Sequence, residues 1–351
     1  MTAGSPAQQL PDHGGPDARG PARWDFSTNA HAGGPEPAWL AELAEADPTR
    51  YPDPTYTALR EALGALHGVA PARILPAASG SEAIVRISTA VALGRPGAAV
   101  RVPQPAYGDY ARAARACGLD VQIDADVTPA VAPALTWAAE PGSPCGDSVA
   151  PAACGDPAAL QVIDRAYAPL RLDGAEPLLP SGAWQLWSPN KALALTGVRG
   201  AYLVAPPAVE QPDHPQADWA RRLQALAPSW PLGAQAVAML RLWARPDTQA
   251  QVRERLAVLR DWKRRQLALY DRLGWSHRPS VTPFGVVAWP GSDDALRRAA
   301  VLAALREQGV QLRDVAGLGL SGWLRLSVQP PAAQDALERA WRQIQTQEGR
   351  A

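Results

Sequence analysis

The chain has 351 residues, 47% hydrophobic and 19% charged, which is enough for one large domain or two with a sizeable core. Its 34 basic and 34 acidic residues cancel, so the sequence offers no basic surface for a nucleic acid. No apolar run reaches the roughly 18 residues of a membrane span, and no signal peptide is recognisable. Cys117, Cys145 and Cys154 lack metal-ligand spacing. These features predict a cytoplasmic globular protein with free thiols and no metal site.

The composition and the hydrophobic pattern divide the chain into a tail, an arm and two larger parts. The tail is rich in Gly, Pro and Ala and is predicted to be disordered. In the first large part, buried strands alternate with helices, which predicts an α/β domain. The second part follows the Trp230-Pro junction and carries a long helix, shorter strands and a final amphipathic helix. The predicted boundaries are 1–22 for the tail, 23–50 for the arm, and 51–227 and 228–351 for the two domains.

Lysine is rare in this chain, because only two of its 34 basic residues, Lys191 and Lys263, are lysines. A deprotonated lysine amine is a nucleophile that forms a Schiff base with an aldehyde, which arginine cannot do. Lys263 lies in a charged helical segment and is predicted to face solvent. Lys191 follows an apolar run and a Ser-Pro-Asn turn, and Arg199 follows it. Lys191 is therefore the candidate nucleophile.

An acid ends one of the buried strands. Asp164 follows an apolar run and precedes Tyr167, and the carboxyl ends of strands are where ligands of open α/β sheets collect. A carboxylate in an apolar setting needs a cationic partner. The alternative interpretation is an ordinary acid at the end of a strand.

Two further segments are suited to bind anions. Gly80, Ser81 and Glu82 begin a helix, whose first N–H groups and positive end attract negative charge, although a helix start without a ligand is the alternative. Arg325 is flanked by apolar residues in a C-terminal strand. A buried arginine requires either a bound anion or an internal Asp/Glu partner.

The Ser188-x-x-Lys191 segment, with Arg199 and Gly200-Ala-Tyr202 after it, resembles the lysine segment of fold-type I pyridoxal-phosphate (PLP) enzymes. The chain looks most similar to the branch that holds histidinol-phosphate aminotransferases and threonine-phosphate decarboxylases. The resemblance covers about residues 24–345. It implies PLP as cofactor and a large domain whose mostly parallel seven-stranded sheet lies between helices. A smaller α+β C-terminal domain completes the expected fold.

The resemblance also implies roles for the residues around the cofactor. Lys191 would hold the cofactor aldehyde and move the proton at the substrate's α-carbon. Asp164 would pair with the pyridinium nitrogen, and Tyr167 and Ser143 would reach the phenolic oxygen. The aromatic ring of Tyr107 would stack on the cofactor, although a core tyrosine is the alternative. The phosphate would contact Gly80, Ser81, Glu82, Ser188 and Arg199.

Other residues would bind substrate or act across a subunit interface. The resemblance implies that Arg325 binds the substrate's α-carboxylate. It also implies that Asn29 and His31, on the N-terminal arm, lie near this carboxylate. His31 has a loop-surface position as its alternative. Tyr51 would reach the cofactor phosphate of the neighbouring subunit, which implies a homodimer. An anchor packed under its own loop is the alternative for Tyr51.

The chain departs from the family pattern at two positions close to these residues. Ser143 stands where the family's Asn-Pro-x-Asn-Pro-Thr-Gly turn has its second Asn, and Arg165 replaces the Glu of Asp-Glu-Ala-Tyr. A serine hydroxyl can still donate a hydrogen bond, but it is shorter and lacks the second donor of an amide.

The favoured function is decarboxylation of L-threonine O-3-phosphate to aminopropanol phosphate for the cobalamin side chain. It rests on the Asp-Phe-Ser-x-Asn arm, the Gly-Ser-Glu-Ala turn and the Trp230-Pro junction. The first alternative is an aminotransferase of the histidinol-phosphate type that uses 2-oxoglutarate. The second is a non-catalytic PLP-fold protein, which Ser143 and Arg165 would suit. The substrate is a small phosphorylated amino acid in the favoured interpretation, and no nucleic acid or membrane partner is expected.

Overall fold

Helices and strands alternate through the first half of the chain in the computed structural model, which describes residues 14–123 and 132–348. In chain order, the elements are β1 (Trp24–Asp25), α1 (Pro37–Ala44), α2 (Thr57–His67), β2 (Ile74–Ala77), α3 (Gly80–Gly94), β3 (Ala99–Val102), α4 (Gly108–Ala116), β4 (Asp120–Ile123), β5 (Leu135–Ala139), β6 (Leu160–Asp164), β7 (Trp184–Trp187), β8 (Ala201–Val204), α5 (Pro215–Ala225), α6 (Ala234–Trp243), α7 (Pro246–Leu273), β9 (Ser276–His277), β10 (Phe284–Ala288), α8 (Ala295–Glu307), β11 (Val310–Gln311), β12 (Arg313–Asp314), β13 (Leu324–Ser327) and α9 (Pro331–Glu348).

The main sheet has seven strands in the order β2-β8-β7-β6-β5-β3-β4. Strand β8 runs antiparallel to both of its neighbours, and the other pairs are parallel. The central strands read as apolar runs because helices cover both faces of the sheet. The prediction of a mostly parallel seven-stranded sheet between helices is confirmed.

Two hydrophobic clusters lie on opposite faces of this sheet. One joins the sheet to α3, α4 and α5 through Ile87, Tyr110 and Leu223. The other joins it to α1, α2 and α6 through Leu43, Leu63 and Met239. Both clusters fix the strand ends from which the loops of the candidate site emerge.

The C-terminal part has its own core beneath a four-stranded antiparallel sheet of order β12-β13-β10-β9. The apolar faces of α7, α8 and α9 meet there, with Trp275, Trp289 and Trp341 at the centre. Strand β1 of the arm pairs with β11, so the arm is attached to this part.

The packing divides the chain at a later point than residue 228. Helix α6 belongs to the core of the large domain, and so do Leu256 and Leu259 in the first half of α7. Leu269 and Tyr270 in the second half of α7 belong to the C-terminal core. The Trp230-Pro junction therefore lies in a loop before α6, a helix that packs in the core of the large domain.

Residues 14–22 differ from the predicted disordered tail, because they make defined contacts with the arm and the C-terminal part. The Gly15 N–H donates to Ser27 Oγ at 2.8 Å. Arg306 Nη2 lies 2.9 Å from the Asp17 carboxylate. The remaining tail, residues 1–13, lies outside the described residues.

Lys263 does not lie on a solvated face of α7. Its side chain is 12% exposed and its Nζ lies 2.7 Å from the Asp173 carboxylate. Lys263 Nζ also donates to the Ser280 carbonyl, so this lysine joins α7 to two loops. None of the helices within residues 14–123 and 132–348 is long and apolar enough to cross a membrane.

Candidate active site

A cavity of about 590 Å³ lies at the carboxyl edge of the main sheet, against the C-terminal part. It brings together most of the site residues that the sequence predicts. Those that line it are Asn29, Gly80, Ser81, Tyr107, Ser143, Asp164, Tyr167, Ser188, Lys191, Arg199 and Arg325. Glu82, His31 and Tyr51 do not line it.

Helix α3 points its N-terminus at the cavity. Ser79 caps the helix, since its Oγ accepts the N–H of Glu82 at 3.0 Å. A Cβ added at Gly80 would meet no protein atom within 4 Å. Packing within the protein therefore does not require glycine there, whereas close approach of a ligand would.

Glu82 holds this turn and does not face a ligand, which corrects its predicted contact with the cofactor. Its carboxylate accepts the N–H of Ala78 at 3.0 Å and forms an ion pair with Arg86, with 2.6 Å between Oε2 and Nη2. Both contacts point away from the cavity. The arrangement resembles a capping box, in which an acid in the first turn fixes the residues before the helix.

Tyr107 is held by polar contacts at the start of α4. Its hydroxyl donates to Asp109 Oδ2 at 2.7 Å and lies 3.3 Å from Ser81 Oγ. Burial, together with the charge of Asp109, raises the pKa of Tyr107, so the hydroxyl stays protonated. Asp109 also pairs with Arg112, 2.8 Å away. Asp109 and Arg112 both line the cavity, and neither was predicted.

Asp164 accepts two hydrogen bonds in the structure. Its Oδ2 accepts the hydroxyl of Tyr110 at 2.7 Å, and its Oδ1 accepts the N–H of Ala166 at 2.9 Å. Tyr110 stacks on Trp137 with ring centroids 4.6 Å apart. Burial raises the pKa of Tyr110 well above its usual value, so its hydroxyl remains a donor that orients the carboxylate.

Lys191 lies in the loop between β7 and β8, facing Tyr167. Its Nζ is 5.3 Å from the centroid of the Tyr167 ring. The loop is closed by the Leu195 N–H, which donates to the Asn190 carbonyl at 2.7 Å. The Tyr167 hydroxyl accepts from Asn29 Nδ2 at 3.4 Å. The arm therefore reaches the side of the cavity on which Tyr167 and Lys191 lie.

Two arginines of the C-terminal sheet enter the cavity side by side. Arg313 and Arg325 are cross-strand neighbours on β12 and β13, and both are buried. Arg325 Nη2 donates to the Ser27 carbonyl at 2.8 Å. Within the described residues, its Nε has no hydrogen-bond partner. Because no carboxylate of this part of the chain forms an ion pair with Arg325, an internal Asp/Glu pair does not account for it.

His31 is buried outside the cavity, which corrects both its predicted substrate contact and its alternative surface position. Only 3% of it is exposed. Its Nδ1 accepts the N–H of Gly33 at 3.1 Å, and its Nε2 lies 3.3 Å from the Arg255 carbonyl. Its main-chain N–H donates to the Lys191 carbonyl at 3.0 Å. His31 therefore supports the lysine loop from behind.

The burial of His31 predicts a specific loss of stability in acid. Burial, followed by the charge of Arg255, lowers the pKa of His31 to about 4 from its ordinary 6.5. Between these values the unfolded chain binds a proton that the folded chain does not, so stability falls as the pH decreases through this window. The His31 contribution is on the order of 2–3 kcal/mol.

Urea unfolding of wild type and His31→Gln at pH 7, 5 and 4 measures this contribution. The wild type should lose more stability than the variant between pH 6.5 and 4. If the free energy of unfolding falls equally with pH in the two proteins, His31 is not the group that titrates.

Tyr51 lies on the surface and not in the cavity of its own subunit. It is 79% exposed and stacks on Trp230 with ring centroids 4.5 Å apart. The Trp230 indole N–H donates to the Pro52 carbonyl at 3.1 Å. The alternative of an anchor packed under its own loop does not apply, because most of the Tyr51 side chain is open to solvent.

The fold and the lysine-centred cavity are those of a fold-type I PLP enzyme. Comparison with known proteins gives the family: the chain belongs to the aminotransferases of class I and II, whose family model matches residues 24–128 and 162–344. It is 32% identical to histidinol-phosphate aminotransferase 2 of Ralstonia nicotianae over 89% of this chain and 87% of that protein. It is 29% identical to histidinol-phosphate aminotransferase 1 of Cupriavidus pinatubonensis over 96% and 93% of the two chains.

Solved structures give the same fold. The L-threonine-O-3-phosphate decarboxylase of Porphyromonas gingivalis has a TM-score of 0.76 and 20% identity, covering 92% of this chain and 99% of that one. The histidinol-phosphate aminotransferase of Sinorhizobium meliloti, in complex with pyridoxal-5'-phosphate, has a TM-score of 0.73 and 21% identity, covering 89% and 88%. PLP is accordingly the cofactor of this chain.

The residues in the cavity fit that cofactor. The N-terminus of α3 and Arg199 are suited to a phosphate, for which a guanidinium fork is a good partner. Asp164 supplies the negative charge that a protonated ring nitrogen needs. The Asn29 Oδ1 atom is buried and has no hydrogen-bond partner among the described residues, so it can accept a hydrogen bond from a bound group. Ile84, Tyr107 and Tyr167 also line the cavity and would give a planar ring apolar contacts.

Sequence reasoning missed Tyr110 and Arg313 as residues of the cavity. Arg313 lies between Leu312 and Asp314, so it lacks the two apolar neighbours that single out Arg325 in the sequence. Tyr110 shows no comparable signal either. Its contact with Asp164 depends on where α4 lies against β6, which the sequence pattern does not indicate.

Proposed function

We propose that this enzyme decarboxylates L-threonine O-3-phosphate to aminopropanol phosphate. The observation that carries the proposal is the pair of arginines, Arg313 and Arg325, in the same cavity as Lys191. An amino acid with both a carboxylate and a phosphate presents two anions on one small molecule. Two buried guanidinium groups on neighbouring strands complement such a substrate better than a substrate with one anion.

PLP, when bound, supplies an electron sink for the bond that breaks at the substrate's α-carbon. Arg325 binds the α-carboxylate and Arg313 the second anion, so the substrate is fixed at both ends. Asp164, at the end of β6, is oriented by the Tyr110 hydroxyl and places a negative charge in the cavity. Loss of carbon dioxide leaves the bonding electron pair at the α-carbon, and the Lys191 amine delivers the proton that replaces the carboxylate. One proton is consumed for each carbon dioxide released.

The test uses the enzyme saturated with PLP and carboxyl-labelled L-threonine O-3-phosphate, without any keto acid. Release of labelled carbon dioxide together with aminopropanol phosphate is expected. Holoenzyme that binds the substrate, as seen by a change in the cofactor's absorption, but releases no carbon dioxide would exclude the decarboxylase.

The second candidate is transamination of histidinol phosphate with 2-oxoglutarate. The curated relatives support this candidate, because two of them, at 27% and 32% identity, are named histidinol-phosphate aminotransferases. Formation of glutamate from histidinol phosphate and 2-oxoglutarate, with no carbon dioxide, would favour it. Holoenzyme that turns over neither substrate would favour the non-catalytic PLP-fold protein.

We further infer that the enzyme is a homodimer to which Tyr51 contributes across the interface. The exposure of Tyr51 and its separation from its own cavity support this inference. Tyr51→Phe and Lys191→Arg can be mixed under conditions that exchange subunits. If Tyr51 serves the partner's site, the mixed dimer regains one wild-type site and activity rises above the sum of the two parents. No gain on mixing would contradict it.

A further inference from the structure

Arg165 lies at the carboxyl ends of three strands. The loops that follow these strands carry several of the predicted cofactor residues. Strand β5 ends before the turn to Ser143, β6 ends at Asp164, and β7 ends before the loop with Lys191. These three strands are neighbours in the sheet. Because Arg165 follows Asp164 directly, a long side chain there can reach both flanking strand ends.

Arg165 contacts all three strand ends. Its main-chain N–H donates to the Leu186 carbonyl of β7 at 2.7 Å. Its Nη1 donates to the main-chain carbonyl of Glu140, the first residue after β5, at 2.8 Å. Its guanidinium carbon lies 5.4 Å from the centroid of the Trp187 ring, at cation–π distance. On its outer side the guanidinium pairs with Glu176.

The burial of this arginine carries a cost that packing alone does not explain. The Arg165 side chain is 1% exposed, and its Nε has no hydrogen-bond partner in residues 14–123 and 132–348. An apolar side chain of similar length would fill the space without desolvating a charge. It could not, however, donate to the Glu140 carbonyl. This donation, the ion pair with Glu176 and the contact with the Trp187 ring distinguish arginine from an apolar residue here.

Glu140 is fixed from its other sides as well. Its carboxylate is fully buried and pairs with Arg171, and it accepts the hydroxyl of Ser148 at 3.2 Å. Its main-chain N–H donates to the Asp164 carbonyl at 3.0 Å. The residue that begins the turn to Ser143 is therefore held by charged and polar contacts on every side.

We propose that Arg165 is a positioning residue for the cofactor. By fixing the Glu140 carbonyl and the Trp187 ring relative to β6, it makes the turn that bears Ser143 and the loop that bears Lys191 one rigid unit. Accurate placement matters for Ser143, because a serine hydroxyl reaches less far than an amide and offers one donor. The proposal concerns cofactor binding and does not depend on which substrate the enzyme converts.

The test titrates full-length apoenzyme with PLP, comparing wild type with Arg165→Met. We expect the dissociation constant for PLP to rise about 10- to 100-fold, the range typical of removing a residue that orients the groups in direct contact with a bound ligand. The visible circular dichroism of the bound cofactor, which reports ring orientation, should also fall. Glu176→Gln is the matched control. Its side chain is 52% exposed, so water can replace it, and the PLP dissociation constant should stay within about 2-fold.

A purely structural Arg165 would give a different result. Arg165→Met would then unfold at a lower temperature but bind PLP with wild-type affinity and dichroism, and the proposal would be wrong. If Arg165→Met does not fold, Arg165→Gln decides, because its shorter, neutral side chain cannot make the charged contacts of the guanidinium with Glu140 and Trp187. Weaker PLP binding by folded Arg165→Gln supports the proposal, and wild-type binding overturns it. Neither readout requires turnover, so failure here is separate from failure of the proposed reaction.

Discussion

Replacing Lys191 by arginine should lower kcat on the order of 10,000-fold or more. The substitution keeps a positive charge but removes the amine that can bond to an aldehyde and transfer a proton. Positioned proton transfer alone contributes about 100- to 10,000-fold, and loss of the covalent attachment adds to that. The measurement is the rate at which substrate disappears in a single turnover, with PLP-saturated enzyme in excess over substrate.

The chain provides a matched control, since its other lysine can receive the same change. Lys263→Arg keeps the charge that joins α7 to Asp173 and lies outside the cavity. Its kcat should stay within about 2-fold of wild type, as for substitutions away from the site. Substantial activity in Lys191→Arg would remove this residue from the reaction.

Replacing Arg325 by glutamine should lower kcat/KM at least about 100-fold. A guanidinium fork gives a carboxylate two charge-assisted hydrogen bonds, each contributing roughly 1.5–3 kcal/mol, and every 1.4 kcal/mol is about tenfold. The effect should fall on substrate binding, so the PLP dissociation constant should change little. Kinetics with L-threonine O-3-phosphate and a PLP titration separate the two quantities.

Arg264→Gln is the control for Arg325. Its side chain is 77% exposed on α7 and pairs with Asp261 one turn away. Such surface pairs contribute little, so kcat/KM should remain within about 2-fold. If Arg325→Gln keeps wild-type kcat/KM, the α-carboxylate is bound elsewhere, and the arginine pair no longer supports the proposed substrate.

Local patterns in the sequence were sufficient for the α/β class and for two candidate residues that line the cavity, Asp164 and Lys191. Asp164 ends an apolar run, and Lys191 stands out because lysine is so rare. Both signals are contained within a few residues, and the structure brings both residues to one cavity. The alternation of strands and helices predicted an α/β domain, because each element carries its own periodicity. The seven-stranded, mostly parallel sheet was expected from the family resemblance.

The errors concern side-chain direction and long-range packing. Glu82 is next to two cavity residues, yet its carboxylate turns to Arg86, and no sequence pattern fixes that choice. His31 is polar and lies in a loop, but the arm buries it behind Lys191. The domain division inside α7 depends on which core each half of one continuous helix meets. A single amphipathic pattern cannot indicate that.

The two departures from the family pattern have different structural contexts. Ser143 lines the cavity, so its shorter side chain would contact a bound cofactor directly. Arg165 does not line the cavity. Arg165 replaces the family's Glu with a basic residue next to the strand ends. The Glu140 carbonyl accepts a hydrogen bond from its guanidinium, and the Glu176 carboxylate forms an ion pair with it.

The most direct test of the site is the position of the cofactor on the chain. Protein purified with PLP is reduced with borohydride, digested, and analysed by mass spectrometry for the peptide that carries the pyridoxyl group. We expect the group on the peptide that contains Lys191, and no labelled peptide from Lys191→Arg. Label on the peptide that contains Lys263, or no label in wild type, would contradict the assignment of the cavity as the PLP site.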